Sequence, residues 1–128
     1  MTTPPPDLEQ RTFTFGCDIL RFCLKLSRTP GAHRQVASQL LRSGTSVGAN
    51  MVEVRAAFTR REFACKYALV LREARETQYW LRLTKETQLS DDHAVQQLLT
   101  EATELVKITT VASRTAKKPL IEKLKSLK

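Results

Sequence analysis

Two carboxylates three residues apart, Glu73 and Glu76, and two histidines, His33 and His93, are the side chains best suited by type to acid–base or metal chemistry. A di-metal helical bundle needs Glu-x-x-His pairs on facing helices, and neither histidine stands in that pattern or in His-x-x-x-His. Arg72 and Arg75 alternate with the two glutamates, which reads as a solvated ion-pair face. Cys17, Cys23 and Cys65 make an odd count of three without a C-x-x-C pair. They fall in apolar segments and read as small buried hydrophobes, and their number fits a reducing cytoplasm better than a disulfide framework. Gly44-x-x-x-Gly48 lacks the Lys-Ser/Thr that completes a phosphate-binding loop. The chain is therefore expected to carry no catalytic residues, no cofactor and no metal, and not to be an enzyme.

Binding chemistry is better represented. The chain has 128 residues and 14.5 kDa, with 21 Lys and Arg against 13 Asp and Glu, a formal charge of +8. From Arg114 to Lys128 six basic residues stand against the single Glu122, so +5 of the total lies in that end and only +3 in the rest. Concentrated cations attract polyanions with little sequence reading. Arg114, Lys117, Lys118, Lys123 and Lys125 are the expected nucleic-acid contacts, with Arg60 and Arg61 as weaker ones, and a merely solubilising end is the plain alternative. Tyr79 and Trp80, between Arg75 and Arg82, could stack on unpaired bases, although a lone Trp more often packs or joins subunits.

Positioning these groups falls to helices. Four Gly and five Pro, three of the Pro at positions 4–6, argue against a turn-rich β domain. Apolar residues recur at alternating steps of three and four in four segments. The first, Glu9 to Arg28, carries Phe15, Ile19, Phe22 and Leu26, and Thr29-Pro30-Gly31 stops it. The second, Ala32 to Phe58, aligns Val36, Leu40, Gly44, Val47, Met51, Val54 and Phe58. Its two glycines lower helix propensity, leaving a break at 43–49 as the alternative, but they would admit a close neighbour. Thr59-x-x-Glu62 is a capping box opening the third helix, which carries Phe63, Tyr67, Val70, Ala74, Thr77 and Leu81 to about Thr87. The fourth starts at the N-cap Ser90 and carries Val95, Leu98, Ala102, Leu105, Thr109 and Ala112 to about Thr115.

The expected fold is all-α, an antiparallel up-down-up-down four-helix bundle at 9–115, between a flexible N-terminus at 1–8 and a basic C-terminal tail at 116–128 that Pro119 interrupts. Apolar stripes on the first and third helices are wider than one seam needs, so part of them is expected to face another subunit. The longest uncharged run, Ser43 to Val52, is far too short and polar to cross a bilayer, and the N-terminus lacks the basic and apolar regions of a secretory signal. No membrane partner is expected.

Ser46, Asn50 and Glu53, with Arg42 one turn earlier, line a polar stripe beside the second seam. It reads either as a ligand or partner site or, more simply, as a structural hydrogen-bond network. The string from Gln39 to Glu53, with its Ser46-x-x-x-Asn50-x-x-Glu53 core, resembles the bacterial four-helix-bundle proteins first named for reading frames in intervening sequences of large-subunit ribosomal RNA genes. Similar matches at Arg72–Leu83 and Arg114–Lys117 extend the resemblance from about Arg11 to Lys118. Val54 departs from the pattern, since many members carry Gly or Ala after that glutamate. The resemblance implies a homopentameric ring without known catalytic activity. It also implies kinship with the accessory proteins of diversity-generating retroelements, basic pentamers that associate with a reverse transcriptase and RNA. RNA or another nucleic acid, further copies of the chain and a reverse transcriptase are accordingly the expected partners.

Overall fold

The computed structural model describes residues 6–127 and contains four helices: α1 (Pro6–Leu26), α2 (Ala32–Arg55), α3 (Arg60–Glu86) and α4 (His93–Ser126). Among the described residues there is no strand. Glu9 meets Arg55 while Ile19 meets Gly44, so α1 and α2 run antiparallel. Short turns reverse the chain again before α3 and before α4. The seams on α1 and α3 are buried at every expected position, and α4 matches through Thr109, after which Ser113 and not the half-buried Ala112 takes the buried place. Threonines within these seams are tolerated because each hydroxyl finds a carbonyl of its own helix: Thr12 that of Glu9, Thr77 that of Glu73, Thr84 that of Trp80 and Thr109 that of Leu105.

No break interrupts α2 at 43–49. Its glycines face α1: a Cβ on Gly44 would stand 2.7 Å from Ile19 Cγ2, and one on Gly48 3.1 Å from the Thr12 carbonyl oxygen. The helix keeps these poor helix formers because their missing side chains set the α1–α2 distance. Ser43, one residue from this contact, faces α3, where Thr77 Oγ1 lies 3.0 Å from its hydroxyl. The α1–α4 seam is looser and bridged by charge. Arg11 donates twice to Glu101, at 2.7 and 2.6 Å, and Lys25 stands 3.7 Å from Asp92.

Several helix ends differ from expectation. Of the N-terminus expected to be flexible, residues 1–5 lie outside the described residues, while Pro6 to Leu8 already belong to α1 and Leu8 is buried. The fourth helix is capped by Asp92, not Ser90; the Asp92 carboxylate accepts from Ala94 N at 2.9 Å, and Ser90 Oγ accepts from Asp92 N. Nor does α4 stop near Thr115. It passes through Pro119 to Ser126, although proline has no N–H to offer the Thr115 carbonyl and costs a helix interior about 3 kcal/mol. At about 1.5 Å per residue its 34 residues span about 51 Å, against about 40 Å for the 27 of α3.

Candidate nucleic-acid interface

The turn between α2 and α3 is fixed from both sides. Ala56 ends α2 with its N–H on the Val52 carbonyl, Ala57 N–H takes that of Val54, and Thr59 Oγ1 accepts from Glu62 N at 3.0 Å. Glu62 returns its carboxylate to the Phe58 N–H at 3.2 Å, one residue earlier than the usual capping-box partner. Because α2 stops at Arg55, the seam does not reach Phe58 as its spacing suggested. Ala57 takes the buried place and Phe58 swings out to 93% exposure. An aromatic ring left in water forgoes about 1.5–3 kcal/mol of burial.

Arg60 and Arg61 follow on the first turn of α3, both exposed. Gln78 Nε2 donates to Thr103 Oγ1 at 3.1 Å across the antiparallel α3–α4 pair. Eighteen residues from that rung, back along α3 and forward along α4, Arg60 comes level with Ile121. The register therefore brings Arg60 and Arg61 to the same end of the bundle as Arg114, Lys117, Lys118, Lys123 and Lys125, although more than fifty residues separate them in the chain. All seven side chains are exposed, and none forms an ion pair among the described residues. Leu120, Ile121, Leu124 and Leu127 run among the lysines, with Leu124 and Leu127 well exposed.

The polar stripe on α2 is mostly self-contained. Ser46 Oγ donates to the Arg42 carbonyl at 2.7 Å and Asn50 Nδ2 to the Ser46 carbonyl at 2.9 Å, both within the helix. Glu53 is exposed. Only Arg42 crosses to α3, where it binds the Glu76 carboxylate and lies 3.7 Å from Glu73 Oε2. The network across helices thus reduces to one arginine and two acids. Trp80 completes it, its indole N–H donating to Glu76 at 3.1 Å. Glu73 and Glu76 are accordingly not the ion-pair partners of Arg72 and Arg75 that their alternation suggested; they face α2 and are half-buried. Tyr79 is exposed and packs edge-on against Trp80, with ring centroids 5.0 Å apart. With Trp80 held by Glu76, the stacking surface suggested for this pair reduces to Tyr79.

Of the cysteines only Cys23 is buried; Cys17 is half-buried and Cys65 exposed, so the shared reading as core residues holds for one. Burial pushes the Cys23 thiol up to about 12. It also raises the Tyr67 phenol, whose buried hydroxyl has no hydrogen-bond partner. Glu101 holds the Arg11 guanidinium further toward its charged form through their hydrogen bonds. Among the described residues no three of His, Cys, Asp and Glu gather into a set that could hold a metal ion, and no helix is long and apolar enough to cross a membrane.

An antiparallel four-helix bundle with a basic end is thus the class of protein that fold and site define. The 23S rRNA-intervening sequence protein family model matches residues 7–111, and the chain belongs to that family. Its structure is similar to the crystal structure of a protein of unknown function from the S23 ribosomal protein family of Bacteroides thetaiotaomicron VPI-5482. The two share 29% sequence identity and a TM-score of 0.75 over 83% of this chain and 97% of that one. No curated protein matches the chain.

Proposed function

We propose that this bundle is a non-enzymatic oligomer that binds RNA, alone or within a ribonucleoprotein, through phosphate contacts at its basic end. The observation that carries the reading is the register of α3 on α4, which collects Arg60, Arg61, Arg114, Lys117, Lys118, Lys123 and Lys125 at one pole with no carboxylate pairing them among the described residues. A family name tied to 23S rRNA supports a polyanionic partner. Contacts of this kind release counterions, so affinity falls steeply with salt. Titrating labelled RNA between 50 and 200 mM salt tests it; a flat response, or unchanged binding after removal of residues 116–128, defeats it.

Assembly into a homopentameric ring is the finer form of the proposal. Phe13, Leu20 and Leu24 on α1 and Val52 on α2 are exposed apolar side chains suited to covering by another copy. In a ring, five basic ends would gather at one face. Sedimentation as a 14.5 kDa monomer would remove the ring. The same apolar row favours a second reading, a protein adaptor with a partner such as a reverse transcriptase. Capture of a partner that survives nuclease and high salt would select it over RNA binding.

A further inference from the structure

We infer that Phe58 is a base-stacking platform, and that the RNA engaged at this pole is single-stranded. The inference rests on the RNA reading above and specifies its ligand. Phe58 stands on the α2–α3 turn with its ring 93% exposed, so both ring faces are free. The ring is carried on a defined backbone, because the Phe58 N–H is bound by Glu62 and Thr59 accepts the Glu62 N–H. The Glu62 carboxylate is thereby occupied, while Arg60 and Arg61 follow immediately and are exposed and unpaired among the described residues. By register, the lysines of distal α4 reach the same level.

An aromatic face next to guanidinium groups and a cationic track is the combination that holds unpaired nucleotides: the cations follow the phosphates and the ring takes a base. Bases in an A-form duplex are already stacked and offer no face. Exposed Ile121, Leu124 and Leu127 share this level by register but stand among lysines, and a ring flanked by cations matches a base better than it matches the core of a protein interface, which is depleted of charge. Phe58 packs against so little that removing it should leave the fold intact.

The test compares full-length wild type with Phe58→Ala and Phe58→Trp, using a labelled oligouridylate of about 20 nucleotides and an RNA duplex of about 20 base pairs. Phe58→Ala should weaken oligouridylate binding about 5- to 100-fold and leave the duplex within about twofold, and Phe58→Trp should restore it. Circular dichroism melting should show all three proteins equally folded. Equal loss on both probes, or no loss on either, overturns the stacking assignment while wild-type, salt-dependent binding keeps the RNA reading intact. A shift in sedimentation of Phe58→Ala with unchanged RNA affinity overturns it in favour of a protein contact. Failure of wild type to bind either probe at 50 mM salt removes both readings.

Discussion

The body of the bundle and the distal part of α4 use charge in opposite ways. In the body, Arg11, Lys25, Arg42 and Arg55 each reach a carboxylate on a neighbouring helix or its cap, so their charges help to set which helix lies beside which. Beyond Val111, where the family match ends, five exposed cations stand on one helix with no such partner among the described residues. On the RNA-binding reading proposed above, the contrast makes stability and recognition separable. The body would lose RNA affinity only by unfolding or through the α2–α3 turn, whereas the distal helix would lose charge without loss of fold.

That separation can be broken by substitution on either side. The largest effect is expected in the core. Leu81 is fully buried on α3, and Leu81→Ala should cost about 2–5 kcal/mol, read as a lowered urea midpoint. RNA affinity of the fraction still folded should not change; a parallel loss would show that core and recognition are coupled. Replacing Lys117, Lys118, Lys123 and Lys125 together by Ala should do the reverse. The urea midpoint should hold, while the slope of log affinity against log salt becomes shallower by about 3.

Alkaline pH sharpens the contrast from the body side. The Cys23 thiol is held near 12 when folded, against an ordinary 9.0. Between those values the unfolded chain has released a proton that the folded chain keeps, so stability is full below pH 9 and falls as pH rises toward 12. The raised Tyr67 phenol adds to the fall. Urea titrations from pH 8 to 11 should show this decline, and Cys23→Ala should reduce it; a pH-independent midpoint in wild type would contradict it. The smallest effect is expected at the α1–α4 seam. Arg11 and Glu101 are both about one-third exposed, and Arg11→Ala should cost about 1 kcal/mol or less, with faster amide exchange in α1 and no change in the salt slope of RNA binding.

Much of the architecture was legible because burial imposes a period. Phe15, Ile19, Phe22 and Leu26, like Phe63 to Leu81, lie on one face of any regular helix, and the capping box at Thr59 announces α3 by its own chemistry. Phe58 shows where the period misleads. It has the right spacing, but a helix end is decided by the turn that follows, and the Glu62 carboxylate reaching Phe58 N settles that end locally. Arg42 shows a second limit. Its alternating neighbours on α3 suggested pairs along one helix, whereas packing turned Glu73 and Glu76 toward α2. Pro119 seemed to divide the basic end from the bundle, and the helix absorbs it instead. The seven cations were named from charge alone; that Arg60 and Arg61 share a pole with the others depends on antiparallel register, which no local pattern of charge contains.

The continuity of α4 has a kinetic consequence. By the α3–α4 register α4 runs on past Arg60 by about 8 Å, so Lys123 and Lys125 stand beyond the start of α3 while Lys117 and Lys118 lie alongside it. On the proposed RNA reading a polyanion would be drawn in by these charges first, and such steering raises association rates steeply at low ionic strength while leaving dissociation to the short-range contacts. Binding by this protein should therefore be fast to form, with salt acting first on how often encounters succeed.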